Sequence, residues 1–463
     1  MQLQLKIAGY HHDLLIKHLL PEDGHEAVAV ALCGRHEASD TQTLLVHEII
    51  MIPHEECYVR EYDVLHWPTR LIERYFERIG RSNLALMKIH SHPGGYRQFS
   101  ETDDQSDLEF FDSAFGWASS DAPHCSAIML PGGEIFGRFF FSDLSSRPIT
   151  RIVVAGDVIR LYLANNTKHI DDFALRTIQA FGSETYSMLK HLTIGVVGCS
   201  GTGSPIIEQL TRLGVGKIIL VDPDTIEFKN LNRIINSTYT DAEFRRYKVE
   251  VIADAIRKIG LGTLVNFYSS NLYDDLSALN ALATCDILFG CLDSVDGRYL
   301  LNQLSSFYLL PYFDIGVKLE ANGIGGIRQI CGSVHYLQPG KSSLITRGVY
   351  TMEDLRAASQ FRKNPIEYEN LKKNSYIKNV NVDNPAVISV NMQIASMAIN
   401  EFLNRIHPYK VESPACYAAS TIDITEGYVV NSHEDSYEPD LYLQKKAGRG
   451  NTTPFIEIAE LSR

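Results

Sequence analysis

A chain of 463 residues, 45% hydrophobic and 21% charged, is too long for one core and too apolar to be disordered, so two domains are expected. Its formal net charge of −13 excludes a general binder of the nucleic-acid backbone, whose affinity rests on a basic surface that releases counterions. Eight cysteines scattered singly, with no CxxC pair, exclude a disulfide framework and point to a reducing cytoplasm.

The opening "MQLQLKIAGYHHDLLIKHLL" breaks its apolar runs with Lys6, His11, His12, Asp13 and Lys17. It reads as neither a signal peptide nor a membrane span. An amphipathic helix over residues 9–20 leads into the strands "HEAVAVALCG" and "TLLVHEIIMIP". A helix is expected over "WPTRLIERYFERIG", then the strand "LALMKIHSH" and the helical "TDDQSDLEFFDSAF". "CSAIMLP" and "EIFGRFFF" complete an α+β domain over residues 1–150, closed by the Ser/Pro-rich joint "SDLSSRP". A connector follows over 151–172, of which "TRIVVAGDVIRLYL" is expected to pack on the first domain.

From "ALRTIQAFGSETYSMLKHL" onward the pattern becomes strand, glycine turn and helix, with "LTIGVVG", "KIILVD", "LVNFYSS" and "DILFGCLD" as buried strands. That alternation predicts a doubly wound, Rossmann-like parallel sheet over 173–430, and so an α/β multidomain chain. The polar, turn-rich tail over 431–463 reads as an extended arm.

Alternate side chains of a strand share a face, so His90 and His92 point the same way at the end of "LALMKIHSH". Asp103, at a helix start, adds a carboxylate and leaves one position open, the pattern of a catalytic zinc site. Glu26 heads the apolar face of Val28, Val30 and Leu32 and suits a general base, and Ser100 an oxyanion donor. A His-x-His pair alone reads as ordinary histidine. The full spacing in "HSHPGGYRQFSETD" resembles the JAMM/MPN (JAB) metalloproteases, over about the first 145 residues. The resemblance implies cleavage after the C-terminus of ubiquitin or a ubiquitin-like protein. It puts the family's upstream glutamate on Glu26, with Glu48 in "VHEII" as the rival.

In "LTIGVVGCSGTGSPIIEQL" a strand turns through Gly198, Gly201 and Gly203 into a helix, offering backbone N–H groups to phosphate. Asp222 ends the next strand, placed for a ribose. Ser200 stands where the dinucleotide fingerprint wants a second glycine. "DPDTIEFKNLNRI" and "RRYKVEVIADAI" then add Asp224 at the nucleotide and, downstream of it, Asn230 with the positively charged Arg233 and Lys248. Such charge suits attack of a carboxylate on an α-phosphate, which requires neutralisation and magnesium, with Asp293 as the metal's ligand. Together these residues resemble the ThiF-type ubiquitin-activating family over about residues 173–425, which implies ATP binding and adenylation of the C-terminal glycine of a ubiquitin-like protein. On this resemblance Arg176 in "RTIQAFGSE" reaches the nucleotide across a homodimer interface, and "NPAVISVNMQIASMAINEFL" is the late core helix.

Two features depart from that family. Ser343 and Thr346 stand where relatives carry a CxxC pair, and the later region offers only Cys416, so no structural zinc is expected. Between Cys331 and Cys416 there is no cysteine, and Ser375 is the best-placed hydroxyl nucleophile, which would form an oxyester and need a base. The adenylate otherwise passes directly to a conjugating enzyme. Cys199 and Cys291 read as a loop residue and a core residue without catalytic roles.

The expectation is a bifunctional cytoplasmic enzyme that cleaves after, and adenylates, a ubiquitin-like protein ending in glycine, using zinc, ATP and magnesium. Its expected partners are that protein, a conjugating enzyme and a second copy of the chain, without nucleic acid or membrane. The setting implied by resemblance is a bacterial ubiquitin-like conjugation pathway, often connected with phage defence. Alternatives are sulfur-carrier activation, a nucleotide-binding scaffold and, least favoured, an NAD-dependent oxidoreductase.

Overall fold

The computed structural model describes residues 1–450 apart from 39, 119, 165–169, 323, 365–367 and 369–385. The chain divides into two compact units. The first comprises residues 1–166 together with 307–309 and, among the described residues, 446–450.

Its strands are β1 (Gln2–Ala8), β2 (Val28–Ala38), β3 (Thr41–Met51), the small hairpin β4 (Val59–Arg60) and β5 (Leu65–His66), β6 (Ala85–Ser91), β7 (His124–Met129), β8 (Ile135–Phe140), β9 (Ser146–Pro148), β10 (Arg151–Ala155) and β11 (Arg160–Leu163). All but the hairpin form one sheet in the order β11-β10-β1-β3-β2-β6-β7-β8-β9. Every residue of β6 and β7 is buried, because the sheet is covered on both faces, which turns its central strands into nearly continuous apolar runs. Ala29, Ala31, Met87 and Ile89 pack with Leu15 and Leu19 of the helix Gly9–Leu19. Val28, Val30, Leu32 and Leu86 pack on the other face with Phe111 and Ala114 of the helix Glu101–Trp117.

The last three residues of the expected joint "SDLSSRP" are instead strand: β9 pairs antiparallel with β8, Arg138 opposite Pro148. Proline is tolerated there because β9 is an edge strand. β10 pairs parallel with β1 and antiparallel with β11, so residues 151–163 are strands of this sheet and its bend. The single helix expected over "WPTRLIERYFERIG" breaks into Arg70–Glu73 and Phe76–Ser82. Tyr75 N bonds Ile72 O there, an i→i−3 turn that tightens the chain out of α geometry.

The second unit carries β12 (Thr193–Val197), β13 (Lys217–Val221), β14 (Leu264–Tyr268), β15 (Ile287–Gly290), β16 (Tyr312–Ala321), β17 (Ile327–Leu337), β18 (Ala419–Asp423) and β19 (Tyr428–Ser432), in the order β14-β13-β12-β15-β16-β17-β18-β19. The first five run parallel and the last three join antiparallel. Successive strands leave β12 on one side and return at β15 on the other. This reversal makes the carboxyl ends of β12 and β15 a topological switch point, where doubly wound sheets bind ligands.

The tail is not wholly extended. It continues from β19 into the helix Leu441–Lys446. Within the first unit, His47 Nδ1 bonds Ala447 O at 2.7 Å. Gly448, at φ 73°, runs so close to β3 that a Cβ there would meet Val46 O at 2.5 Å. Among the described residues no helix is long and apolar enough to cross a membrane.

Candidate functional site

In the first unit, β6 carries His90 near its end, and His92 follows with its backbone N–H on Met129 O of β7 at 3.0 Å. Asp103 stands in the first turn of the helix Glu101–Trp117. Ser100 caps that helix: its hydroxyl donates to Asp103 Oδ2 at 2.7 Å and accepts from Asp103 N at 3.1 Å. This Ser-x-x-Asp box fixes the carboxylate before any ligand arrives.

His90 Nε2 lies 2.9 Å from Asp103 Oδ1, and His92 Nε2 lies 3.3 Å from Asp103 Oδ2. The two Nε2 atoms are 3.2 Å apart. His92 Nδ1 sits 2.9 Å from the Tyr96 carbonyl, which can only accept a proton, so the neutral ring presents an Nε2 lone pair to the cluster. One donor atom from each of His90, His92 and Asp103 falls within 4.8 Å of the others, the one such group found among the described residues. Two imidazoles and a carboxylate converging in this way can hold a divalent cation with a position left open.

Burial pulls His90 below its ordinary pKa. Burial opposes charge on His92 too, but Asp103 and the Tyr96 carbonyl outweigh it and hold that ring above its ordinary value. Asp103 is also buried, yet the two histidines hold it well below the carboxylate range.

Glu26 Oε1 lies 3.9 Å from His92 Nε2. Glu26 precedes β2 rather than opening it, its N–H held by Glu61 O at 2.8 Å. Burial pushes its carboxyl up to about 7. The rival Glu48 lies in β3 opposite Leu32 and pairs with Arg78 at 2.5 Å.

In the second unit, Gly198 turns the chain out of β12 at φ 91°. A Cβ on Gly203, the first residue of the helix Gly203–Arg212, would meet Gly198 O at 1.9 Å, and one on Gly201 would meet Asn391 Nδ2 at 2.0 Å. The loop is therefore wound too tightly for a side chain at Gly203, while at Gly201 the Asn391 side chain would have to move aside. Cys199 N donates to Asp222 Oδ2 at 2.6 Å, so the carboxylate beyond β13 ties the loop down. Burial raises the Asp222 pKa.

Lys248, the buried first residue of the helix Lys248–Ile259, reaches Asp224 at 2.6 Å and Asp222 at 3.8 Å. Arg233 runs beside Gly201, whose Cβ would stand 3.0 Å from its Cδ. Asn230 is buried and its side chain accepts from Glu227 N, capping its own turn. Asp293 is exposed three residues after β15, beyond the carboxyl end of that strand. Its oxygen donor suits a hard cation.

Arg176 does not join this group: it lies exposed on the helix Leu175–His191 and donates to Gln179 at 3.3 Å. Ser375 lies outside the described residues. Ser343 and Thr346 bond each other, through Ser343 N to Thr346 Oγ1 at 2.9 Å. Sequence reasoning missed Asn391, on the helix Ile388–Ile406. Its approach to Gly201 is a long-range contact with no local signature.

Two family models match the chain. The ThiF family covers residues 174–429, and prokaryotic homologs of the JAB domain cover residues 9–136. The ubiquitin-like modifier-activating enzyme 5 of Culex quinquefasciatus is 28% identical over 181 residues, 36% of this chain and 43% of that protein. The enzyme of the same description from Caenorhabditis elegans is 26% identical over 168 residues, 34% of this chain and 38% of that protein. The chain thus spans less than half the length of these relatives. Escherichia coli MccB, in a crystal structure with ATP, is 19% identical with a TM-score of 0.42, covering 58% of this chain and 73% of that one. The ThiF match spans more than half of the sequence, so the chain belongs to the ThiF family, and it carries a JAB domain ahead of that part.

Proposed function

We propose that this chain is a two-site enzyme of a ubiquitin-like modifier pathway. The second unit adenylates the C-terminal glycine of a ubiquitin-like protein, and the first hydrolyses the amide bond that follows the same glycine. The observation that carries this reading is the convergence of His90, His92 and Asp103 beside Glu26, in one chain with a tight glycine loop tied to Asp222. The relatives' description as ubiquitin-like modifier-activating enzymes supports it.

In the first unit His90, His92 and Asp103 hold zinc, which when bound polarises a carbonyl and acidifies water. Glu26 takes the proton of the attacking water and returns it to the leaving amine. Ser100 donates to the oxyanion once its hydroxyl turns from Asp103.

In the second unit the partner's carboxylate attacks the α-phosphorus of ATP, forming an acyl adenylate and releasing pyrophosphate. The N–H groups from Ser200 to Gly203 face the phosphates, those of Gly198 and Cys199 being bonded to Val221 O and Asp222. Asp222 binds the ribose. Lys248, Arg233 and, from a second copy, Arg176 offset the charge that builds up, and Asn230 lines the same site. Asp293 holds magnesium, with Asp224 keeping Lys248 in place. The acyl group then passes, with release of AMP, to a conjugating enzyme, or to the Ser375 hydroxyl as an oxyester.

Calorimetry with ATP and NAD tests the cofactor. ATP binding without NAD binding is expected, and NAD binding with no ATP binding would overturn the reading.

A further inference from the structure

We propose that Lys88 and Arg138 are positioning residues that set Asp103 against His90 and His92. The proposal rests on the zinc reading of that cluster.

Lys88 and His90 are two residues apart on one face of β6, and Asp103 and Asp107 are four apart on one face of the helix Glu101–Trp117. His90 Nε2 meets Asp103 Oδ1 at 2.9 Å, and Lys88 Nζ meets Asp107 Oδ1 at 2.8 Å. The same strand and the same helix are thus joined by two successive rungs, one of ligands and one of an ion pair. The ion-pair rung is out of water, with Lys88 5% and Asp107 0% exposed.

Arg138 closes the arrangement from β8. It reaches Asp107 Oδ2 at 2.7 Å and Asp104 Oδ1 at 2.5 Å, and its guanidinium lies 3.8 Å from the centre of the Phe99 ring, just before the cap Ser100. Lys88 also donates to Ser106 Oγ at 2.9 Å. Both oxygens of Asp107 are therefore taken by cations from two different strands, and the helix has little freedom to slide or roll. Apolar packing alone would hold it with less desolvation cost but without direction. A directional contact one turn from Asp103 suits a carboxylate that must meet a metal closely, and losing such outer partners typically weakens metal binding.

The test is zinc affinity of the full chain, by competition with a chromophoric chelator, in Lys88→Met and Lys88→Arg. Lys88→Met is expected to bind zinc about tenfold to a hundredfold more weakly and to shift the absorption spectrum of the cobalt-loaded site. Lys88→Arg keeps a donor for Asp107 and is expected to recover most of the affinity. Where Lys88→Met does not fold, Asp107→Asn makes the same comparison while keeping shape and an acceptor. Unchanged affinity and spectrum in the folded variant would overturn the proposal alone, whereas a wild-type chain that takes up no zinc would overturn the zinc reading beneath it.

Discussion

Glu26 Oε1 stands 3.9 Å from His92 Nε2, two residues beyond the last pair of β2 and β6, Val28 with His90. Continuing that antiparallel register sets Glu26 across from His92, so pairing in the sheet, not a local motif, delivers the carboxylate to the cluster. Glu26→Gln keeps the side chain's shape and removes its basicity. The variant is expected to keep zinc and to lose about 10²- to 10⁴-fold in peptide cleavage, measured on a ubiquitin-like protein extended past its glycine. Loss of zinc along with activity would give Glu26 a different role.

The two glycines of the phosphate loop are expected to differ in tolerance. A Cβ on Gly203 meets the backbone Gly198 O at 1.9 Å, whereas one on Gly201 meets the tip of the Asn391 side chain at 2.0 Å. A backbone carbonyl cannot turn aside as a side-chain amide can. Calorimetry should therefore show Gly203→Ala losing ATP binding more completely than Gly201→Ala, with peptide cleavage unchanged in both.

Much of each site was legible because its signals are local. "LALMKIHSH" reads as a strand with two like-facing histidines, and Ser100 with Asp103 is a capping box written within four positions. The choice between Glu26 and Glu48 was not legible from local pattern, since it depends on which residues β2 sets opposite β6. Lys88 looks like a polar break in an apolar run until Asp107 is seen one helical turn beyond Asp103. β9 was missed because all three of its residues are exposed and it pairs on one side only, which gives it the composition of a loop.

Near Ser343 a buried ion pair holds the second unit together. Arg347 meets Glu434 at 2.6 Å and donates to Ala418 O and Tyr336 O, while Ser342 donates to Glu434 through both its N–H and its hydroxyl. The two charged side chains are 0% and 6% exposed. Arg347→Met strands the carboxylate and is expected to lower unfolding stability by about 3–5 kcal/mol. The double variant Arg347→Met with Glu434→Met should recover most of the loss in denaturant titrations.

Acid should weaken both units through buried histidines. Burial lowers His124 to about 3 and His11 and His335 to about 4, from about 6.5 when unfolded. Between pH 6.5 and 4 the unfolded chain binds the extra protons, so stability is lost as pH falls through that window. The slope is about 1.4 kcal/mol per pH unit for each histidine. His124 Nδ1 accepts from Leu86 N at 3.1 Å, and His124→Asn, which keeps an acceptor, should flatten the slope of the first unit's unfolding. An unchanged slope would mean that His124 is not titrating.

The central claim, that both units serve one glycine end, is tested most directly by ATP–pyrophosphate exchange. The full chain with zinc and magnesium would be given a panel of ubiquitin-like proteins, each made ending at its glycine and also extended beyond it by a short peptide. For at least one member, immediate exchange is expected with the form ending in glycine. Exchange with its extended form should appear only as the extension is removed, and should be delayed by the same factor as cleavage in Glu26→Gln. Exchange that is indifferent to the extension, or absent with every glycine-ended protein, would contradict the claim.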